Sequence, residues 1–440
     1  VVGSASTPRP GSRRFDQAGV LFVLVAAWAV VPKVLQTLTA PKYRVWVGQA
    51  EPPPTALTSA ATTLLTAALL GWCLLVVLDA LRRNPRRHLG GLLLLLAPWV
   101  WVVVRGWTLG SLPGVSDLVY PAVVVAVWLL RPGRRHLRLL GHLVGVVALL
   151  SVVIAVALPD QGVFRAVDGS EITEEKAFLP FGVLVGIFTH GNVLGQYLLM
   201  GLPLVALVRP RLVRAAWLAL VAGALAWSAA RSSIGAAAGL AAAVGVLSLL
   251  PRDRRSVPYR LVLWGAFGLV AVLPFVTHDP MAFTTRGRIW AVSLDAWRAH
   301  PWLGLGSDFY AQVAQTSGNL GPTVSHGHNE VVQLLVTGGV VLLVLTGLLL
   351  LAAIRRAADA PDGDATGFAL LLALAGASLL EISLLPTANS VFDAVLLLPL
   401  ATLLVGDPWR EDPDADDLAG ATGTGTGTRS GPVRLAGARG

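Results

Sequence analysis

The segment SHGHNE, residues 325–330, sets two imidazoles, a carboxamide and a carboxylate at the mouth of an apolar run that ends at Arg355 and Arg356. A neutral imidazole near pH 7 can take a proton from a hydroxyl within hydrogen-bond reach, so His326 and His328 are candidates for a general base. The H-x-H-x-E string also brings zinc to mind. An i, i+2 pair diverges on a helix, however, and no cysteine or further histidine pair stands nearby, so no metal is expected. Helix capping or a headgroup contact is the plainer role for these histidines. Spacing alone does not decide which of the two would be the base.

Three arginines invite a second chemistry. Arg231 lies in WSAARSSIG, and Arg286 and Arg288 lie in TTRGRIW. A guanidinium offers a planar fork to phosphate and does not lose its charge. Turn capping and snorkelling to lipid headgroups are the competing uses. His190 and Asn192, in FTHGNVLGQY, and Glu381 and Asp393 further on, are other ionisable or polar groups inside apolar runs. Such groups are costly against lipid and by default face a bundle interior or a wet cavity.

The elements that must carry these residues are membrane helices. Of 440 residues, 55% are hydrophobic and 13% charged, against about 25% charged in a soluble domain. Cys73 is the only cysteine, which leaves no disulfide framework and no cysteine metal site. About 20 apolar residues span a bilayer as a helix. Apolar runs near 18–39, 57–81, 88–104, 115–130, 137–158, 182–208, 213–230, 232–250, 260–277, 329–354, 366–385 and 388–405 predict an all-α integral membrane protein with about twelve spans.

Charge fixes the expected orientation. With the N-terminus inside, the inner segments hold 24 of the 34 Lys and Arg, as the positive-inside bias requires. The net charge of +9 is therefore a topology signal, and no nucleic-acid partner is expected. The layout that follows is a cytoplasmic tail at 1–17, nine spans over 18–277, an extracytoplasmic loop at 278–328, three spans over 329–405, and a disordered cytoplasmic tail at 406–440. The first run is too long for a signal-peptide core. In the loop, Ile289, Trp290, Leu294 and Trp297 recur at helical spacing, which predicts an amphipathic helix along the membrane surface. Loops this long are commonly functional.

The stretch RGRIWAVSLDAWRAHPWLGLGSDFY followed by HNEVVQLLVTGG resembles the signature of the O-antigen ligase and O-antigen polymerase superfamily. The shared pieces are Arg288 and Trp290, then Pro301, Gly304 and Gly306, then His328-Asn329, then Gly338-Gly339. FTHGNVLGQYLLMGLPL and WSAARSSIGAAAGL look like the two preceding segments of that family. His326 is an addition to the family pattern. The resemblance implies a GT-C-like membrane glycosyltransferase in the plasma (inner) membrane. Its donor would be a glycan on undecaprenyl diphosphate, taken at the outer face. Its acceptor would be a glycan, lipid or protein. Carried over, the catalytic residues are His328, Arg231 and Arg288, with Arg286 as near neighbour. Beside them, Arg286, His326, Asn329, His190 and Asn192 are expected to bind substrate. Fixed arginines can stabilise a leaving diphosphate without a metal or other cofactor. The competing class is a transporter or flippase of lipid-linked oligosaccharide. That class should carry polar groups through the whole depth of its helices, whereas here they gather at one end.

Overall fold

The computed structural model describes residues 16–40, 53–83, 87–111, 114–164, 177–316, 325–384 and 391–410. Helices of eight residues or more run in order as α1 (Gln17–Thr39), α2 (Ala56–Arg83), α3 (Gly90–Thr108), α4 (Val119–Leu130), α5 (Arg134–Ala157), α6 (Gly191–Val205) and α7 (Arg211–Trp227). They continue as α8 (Arg231–Ser248), α9 (Ser256–Val276), α10 (Ala282–Arg298), α11 (Phe309–Thr316), α12 (Glu330–Ala358), α13 (Thr366–Leu380) and α14 (Leu397–Val405). The one sheet among the described residues pairs β1 (Val163–Phe164) with β2 (Val183–Leu184), antiparallel. Among the described residues seven helices, α1, α2, α3, α5, α8, α9 and α12, are long and apolar enough to cross a membrane. The chain is an all-α, multi-pass membrane protein. Most of each expected tail lies outside the described residues, as does the loop part 317–324.

Three expected runs differ from continuous helix. The run at 182–208 enters as an extended segment and becomes helical only at Gly191. Gly186, at φ +59, turns the chain where a Cβ would collide with Ser151. The run at 366–385 stops being helical at Leu380, and Glu381 is extended at φ −144, ψ 179. The run at 388–405 is α-helical only over Leu397–Val405 among the described residues. Hydropathy registers an apolar run whatever its backbone does, so none of these breaks could be read from it.

Helix α6 is buried along almost its whole length, and glycines let its neighbours close in. A Cβ on Gly195 would meet Ala230, and one on Gly201 would meet Val144. α6 thereby packs against α5, α8 and α13 at once. The amphipathic helix is present as α10, but its apolar stripe faces protein. Ile289, Trp290 and Leu294 are buried against Val331, Val332, Leu335 and Val336 of α12 and Val270 of α9. The helix therefore roofs the head of α12.

Helix α12 is broken at Gly339, which sits at φ 66, ψ −164. Among genetically coded residues that conformation is essentially confined to glycine. The break releases two carbonyls and two N–H groups in an apolar layer, where each must find a protein partner. The loop 301–306 supplies all four. Leu305 N donates to Val336 O at 2.6 Å and Gly306 N to Thr337 O at 3.1 Å, while Val340 N donates to Pro301 O at 2.9 Å and Val341 N to Trp302 O at 3.3 Å. Trp101 and Arg105 of α3 then bond Gly338 O and Gly304 O, each at 2.8 Å. This explains why the proline–glycine–glycine turn and the later glycine pair occur together: each is the other's hydrogen-bond partner.

Gly339→Ala should therefore be severe. Its Cβ would lie 2.2 Å from Trp302 O, and the backbone strain alone is worth about 1–3 kcal/mol. Thermal unfolding in detergent should show a clear loss of stability for Gly339→Ala. Gly347→Ala, on the same helix with open space around it, should leave the transition in place.

Candidate active site

Glu381 is the hub of the site. Its side chain, 9% exposed, receives donors from three other segments. On Oε1 it accepts Arg286 Nη2 at 2.5 Å and Asn192 Nδ2 at 3.1 Å. On Oε2 it meets His328 Nδ1 at 3.0 Å, with His326 Nε2 3.7 Å away. The sequence marks Glu381 only as a charge in an apolar run. Nothing in its spacing names its partners, which lie 53, 95 and 189 residues away.

The histidines are not on a helix. α12 starts at Glu330, and the turn before it brings the two imidazoles together, tilted by 45° with centroids 3.9 Å apart. An i, i+2 pair diverges on a helix, but in this turn the two side chains converge. Imidazoles His326 and His328 and carboxylate Glu381 do form a cluster whose ligand atoms lie within 4.8 Å of one another. The proton inventory still opposes a metal. His326 Nδ1 accepts the backbone N–H of His328 at 3.1 Å, so the neutral ring carries its proton on Nε2, the atom that would have to ligate. Burial, with His328 alongside, pushes the His326 imidazolium down to about 3. His328 has the opposite arrangement. Nδ1–H donates to Glu381, which leaves the Nε2 lone pair available to accept a proton. Its backbone lies in the left-handed region at φ 47, a strained conformation held by its surroundings.

Asn329 was expected to touch substrate. It is fully buried, and its polar atoms are committed to backbone. Oδ1 accepts Val331 N at 2.9 Å and Val332 N at 3.2 Å, capping α12. Nδ2 donates to Val270 O at 3.0 Å and Leu379 O at 3.1 Å. The first of these carbonyls is free because Pro274 has no N–H to offer it. Asn329 thus locks the base-bearing turn between α9 and α13.

Arg286 is also committed. Besides Glu381, it donates to Leu380 O at 2.9 Å and Phe283 O at 3.0 Å, and its side chain is 13% exposed. It clamps the start of α10 to the end of α13. Arg288, two residues on, is exposed, as is Arg231 at the first turn of α8. Arg231 follows a tight corner in which Ala229 adopts φ 50, packed against Gly191 and Gly195 of α6. His190 caps α6 by accepting Asn192 N at 3.0 Å. Glu381 thus gathers His328, His326, Arg286 and Asn192 into one cluster. Arg231 and Arg288 stand exposed on neighbouring elements, and Asn329 lies beneath.

This geometry can take a proton from a hydroxyl and can present guanidinium groups to an anion. Residues 177–347 match the O-antigen ligase family model. The match covers less than half of the 440 residues. It bears out the resemblance of this stretch to the O-antigen ligase-related superfamily and supports a membrane glycan-transfer function of the ligase or polymerase kind. The O-antigen ligase stretch holds His190, Asn192, Arg231, Arg286, Arg288, His326, His328 and Asn329, whereas Glu381 lies beyond it. No curated protein matches the chain.

Two outcomes follow. Glu381→Ala leaves the Arg286 guanidinium buried without its carboxylate, which should cost about 3–5 kcal/mol. Asp295→Ala breaks the exposed pair with Arg298 and should cost less than about 1 kcal/mol; chemical unfolding in detergent compares them. His326 should keep its neutral imidazole spectrum at pH 5, where an exposed histidine is protonated. The check is 15N NMR of histidine-labelled protein, assigned with His326→Gln. The unfolded chain takes up the proton that folded His326 refuses, so this residue makes folding weaker as pH falls below the ordinary imidazole range.

Proposed function

We propose that the protein is a membrane glycosyltransferase. It moves a glycan from an undecaprenyl-diphosphate carrier to an acceptor hydroxyl at the outer face of the plasma membrane. The observation that carries this reading is the His328–Glu381 pair: Glu381 takes Nδ1–H, and Nε2 is left as a base at the mouth of a membrane helix. A donor lipid lies in the membrane and an acceptor comes from water, so the head of such a helix is where the two would meet. In the same reading the twelve apolar runs are twelve spans of a GT-C-like fold, with both termini cytoplasmic.

The step balances without a metal. His328 Nε2 accepts the hydroxyl proton as the acceptor oxygen bonds to the anomeric carbon. The bond from that carbon to the diphosphate oxygen breaks, and the electron pair leaves with the lipid diphosphate. Arg231 and Arg288 stabilise that growing charge. Attack from the side opposite the leaving group inverts the anomeric centre. Glu381 offsets the charge of the imidazolium until its proton passes to water. Asn192 and Arg286 hold Glu381 in place, and Asn329 holds His328.

The test uses purified protein in lipid with an undecaprenyl-diphosphate glycan pool from its own host. Loss of lipid-linked donor should continue in the presence of a chelator. His328→Ala, Arg231→Ala and Arg288→Ala should each lower it by about 10²-fold or more. His326→Ala should stay within about tenfold of wild type. A lengthening ladder on the lipid marks a polymerase, and a product on another acceptor marks a ligase. Movement of donor between leaflets with no loss of donor in wild type would overturn the transferase reading in favour of a flippase.

A further inference from the structure

Glu330 follows the base by two residues, yet it plays no part in the step above. It is buried, and its Oε2 accepts Ser383 N at 2.7 Å, Leu384 N at 3.1 Å and Ser378 Oγ at 3.4 Å. Those two N–H groups would bond Leu379 O and Leu380 O if α13 continued as a helix. Instead Asn329 takes Leu379 O and Arg286 takes Leu380 O. From α6, Gln196 Nε2 donates to Ile382 O at 2.6 Å and Ser383 Oγ at 2.9 Å. The peptide that carries Glu381 is therefore unwound; Gln196 holds Ile382 O and the Ser383 hydroxyl, and a single carboxylate oxygen takes both freed N–H groups on its C-terminal side. Without that acceptor the two N–H groups would be buried without a partner, and one more helical turn, sharing Leu379 O and Leu380 O with Asn329 and Arg286, would be the way to satisfy them. That turn would swing Glu381 away from His328 Nδ1.

We infer that Glu330 is a positioning residue: by capping the unwound N–H groups of Ser383 and Leu384, it keeps Glu381 on His328 Nδ1 and so sets which nitrogen of His328 can act as base. The inference rests on the transferase reading for its effect on rate, and on geometry alone for its effect on the His328 ring. What matters is an acceptor oxygen at the right reach. Glu330→Gln retains that oxygen, Glu330→Asp withdraws it by one bond length, and Glu330→Leu removes it.

The experiment has two arms on the full-length protein in lipid. In 15N NMR of histidine-labelled protein, with His328 assigned by His328→Asn, wild type and Glu330→Gln should share one Nδ1–H pattern for His328. Glu330→Asp and Glu330→Leu should lose it. In the donor-loss assay, Glu330→Gln should stay within about threefold of wild type, and Glu330→Asp should fall about thirtyfold in kcat at nearly constant KM for the lipid donor. Glu330→Asp combined with Glu381→Gln should be no slower than Glu381→Gln alone, since the first residue acts through the second. Multiplicative losses in that double variant, or an unchanged His328 spectrum in Glu330→Asp, would overturn the proposal. If Glu330→Leu does not fold, the Gln and Asp variants still decide. If wild type transfers no glycan, the transferase reading fails while the NMR arm still tests Glu330.

Discussion

Helix α13 stops at Leu380 inside an apolar layer, and its last carbonyls and the following N–H groups must be satisfied by side chains. Asn329 and Arg286 take the carbonyls, and Glu330 takes the N–H groups. Lipid cannot hydrogen-bond a loose backbone, so this exchange is what allows the chain to leave helical geometry there at all. Glu381 is the first residue beyond the break. Its extended backbone turns the carboxylate toward His328, Asn192 and Arg286, and the candidate base owes its orientation to that turn. The site therefore depends on the place where one helix is made to end.

A second break obeys the same rule one layer away. Gly339 interrupts α12, and the loop at 301–306 fills the gap with its own backbone. α10 and α11 are tied into that arrangement, because the loop lies between them and α10 packs its apolar stripe on the head of α12. Two helices that a hydropathy profile draws as plain rods are each opened near the same end. At α13 the freed groups are answered by side chains, and at α12 by the backbone of another loop.

The sequence made the membrane class, the helical runs and the polar end of the bundle legible, since each follows from composition and charge placement along one dimension. The motif glycines were visible too, although their pairing across the break was not, because hydrogen bonds between residues 301–306 and 336–341 leave no periodic trace. The loop position of His326 and His328 is legible, but an i, i+2 spacing says nothing of how two side chains sit in a turn, so the convergence of their rings is not. Arg286 and Asn329 looked like substrate contacts by residue type. Both bond backbone carbonyls, and Arg286 the Glu381 carboxylate besides; three of those carbonyls, on Val270, Leu379 and Leu380, are open only because Pro274 and the end of α13 release them. Glu381 is the largest omission. It lies beyond the O-antigen ligase stretch, in a run where a lone carboxylate gives no hint of which donors will meet it.

The hub has a bearing on how the protein is made. Arg286 and Glu381 are 95 residues apart, and the carboxylate, at the end of an apolar helical run, is a liability beside lipid until the guanidinium meets it. α12 and α13 enter the membrane after the α10 loop, so the early arginine waits for a carboxylate delivered near the end of synthesis. The Glu381 carboxylate that closes the pair also meets Asn192 of α6 and His328 ahead of α12, so one side chain ties four segments together. A chain whose late helices dock badly would keep an unmatched charge, and the same fault would leave the Glu381 cluster unassembled.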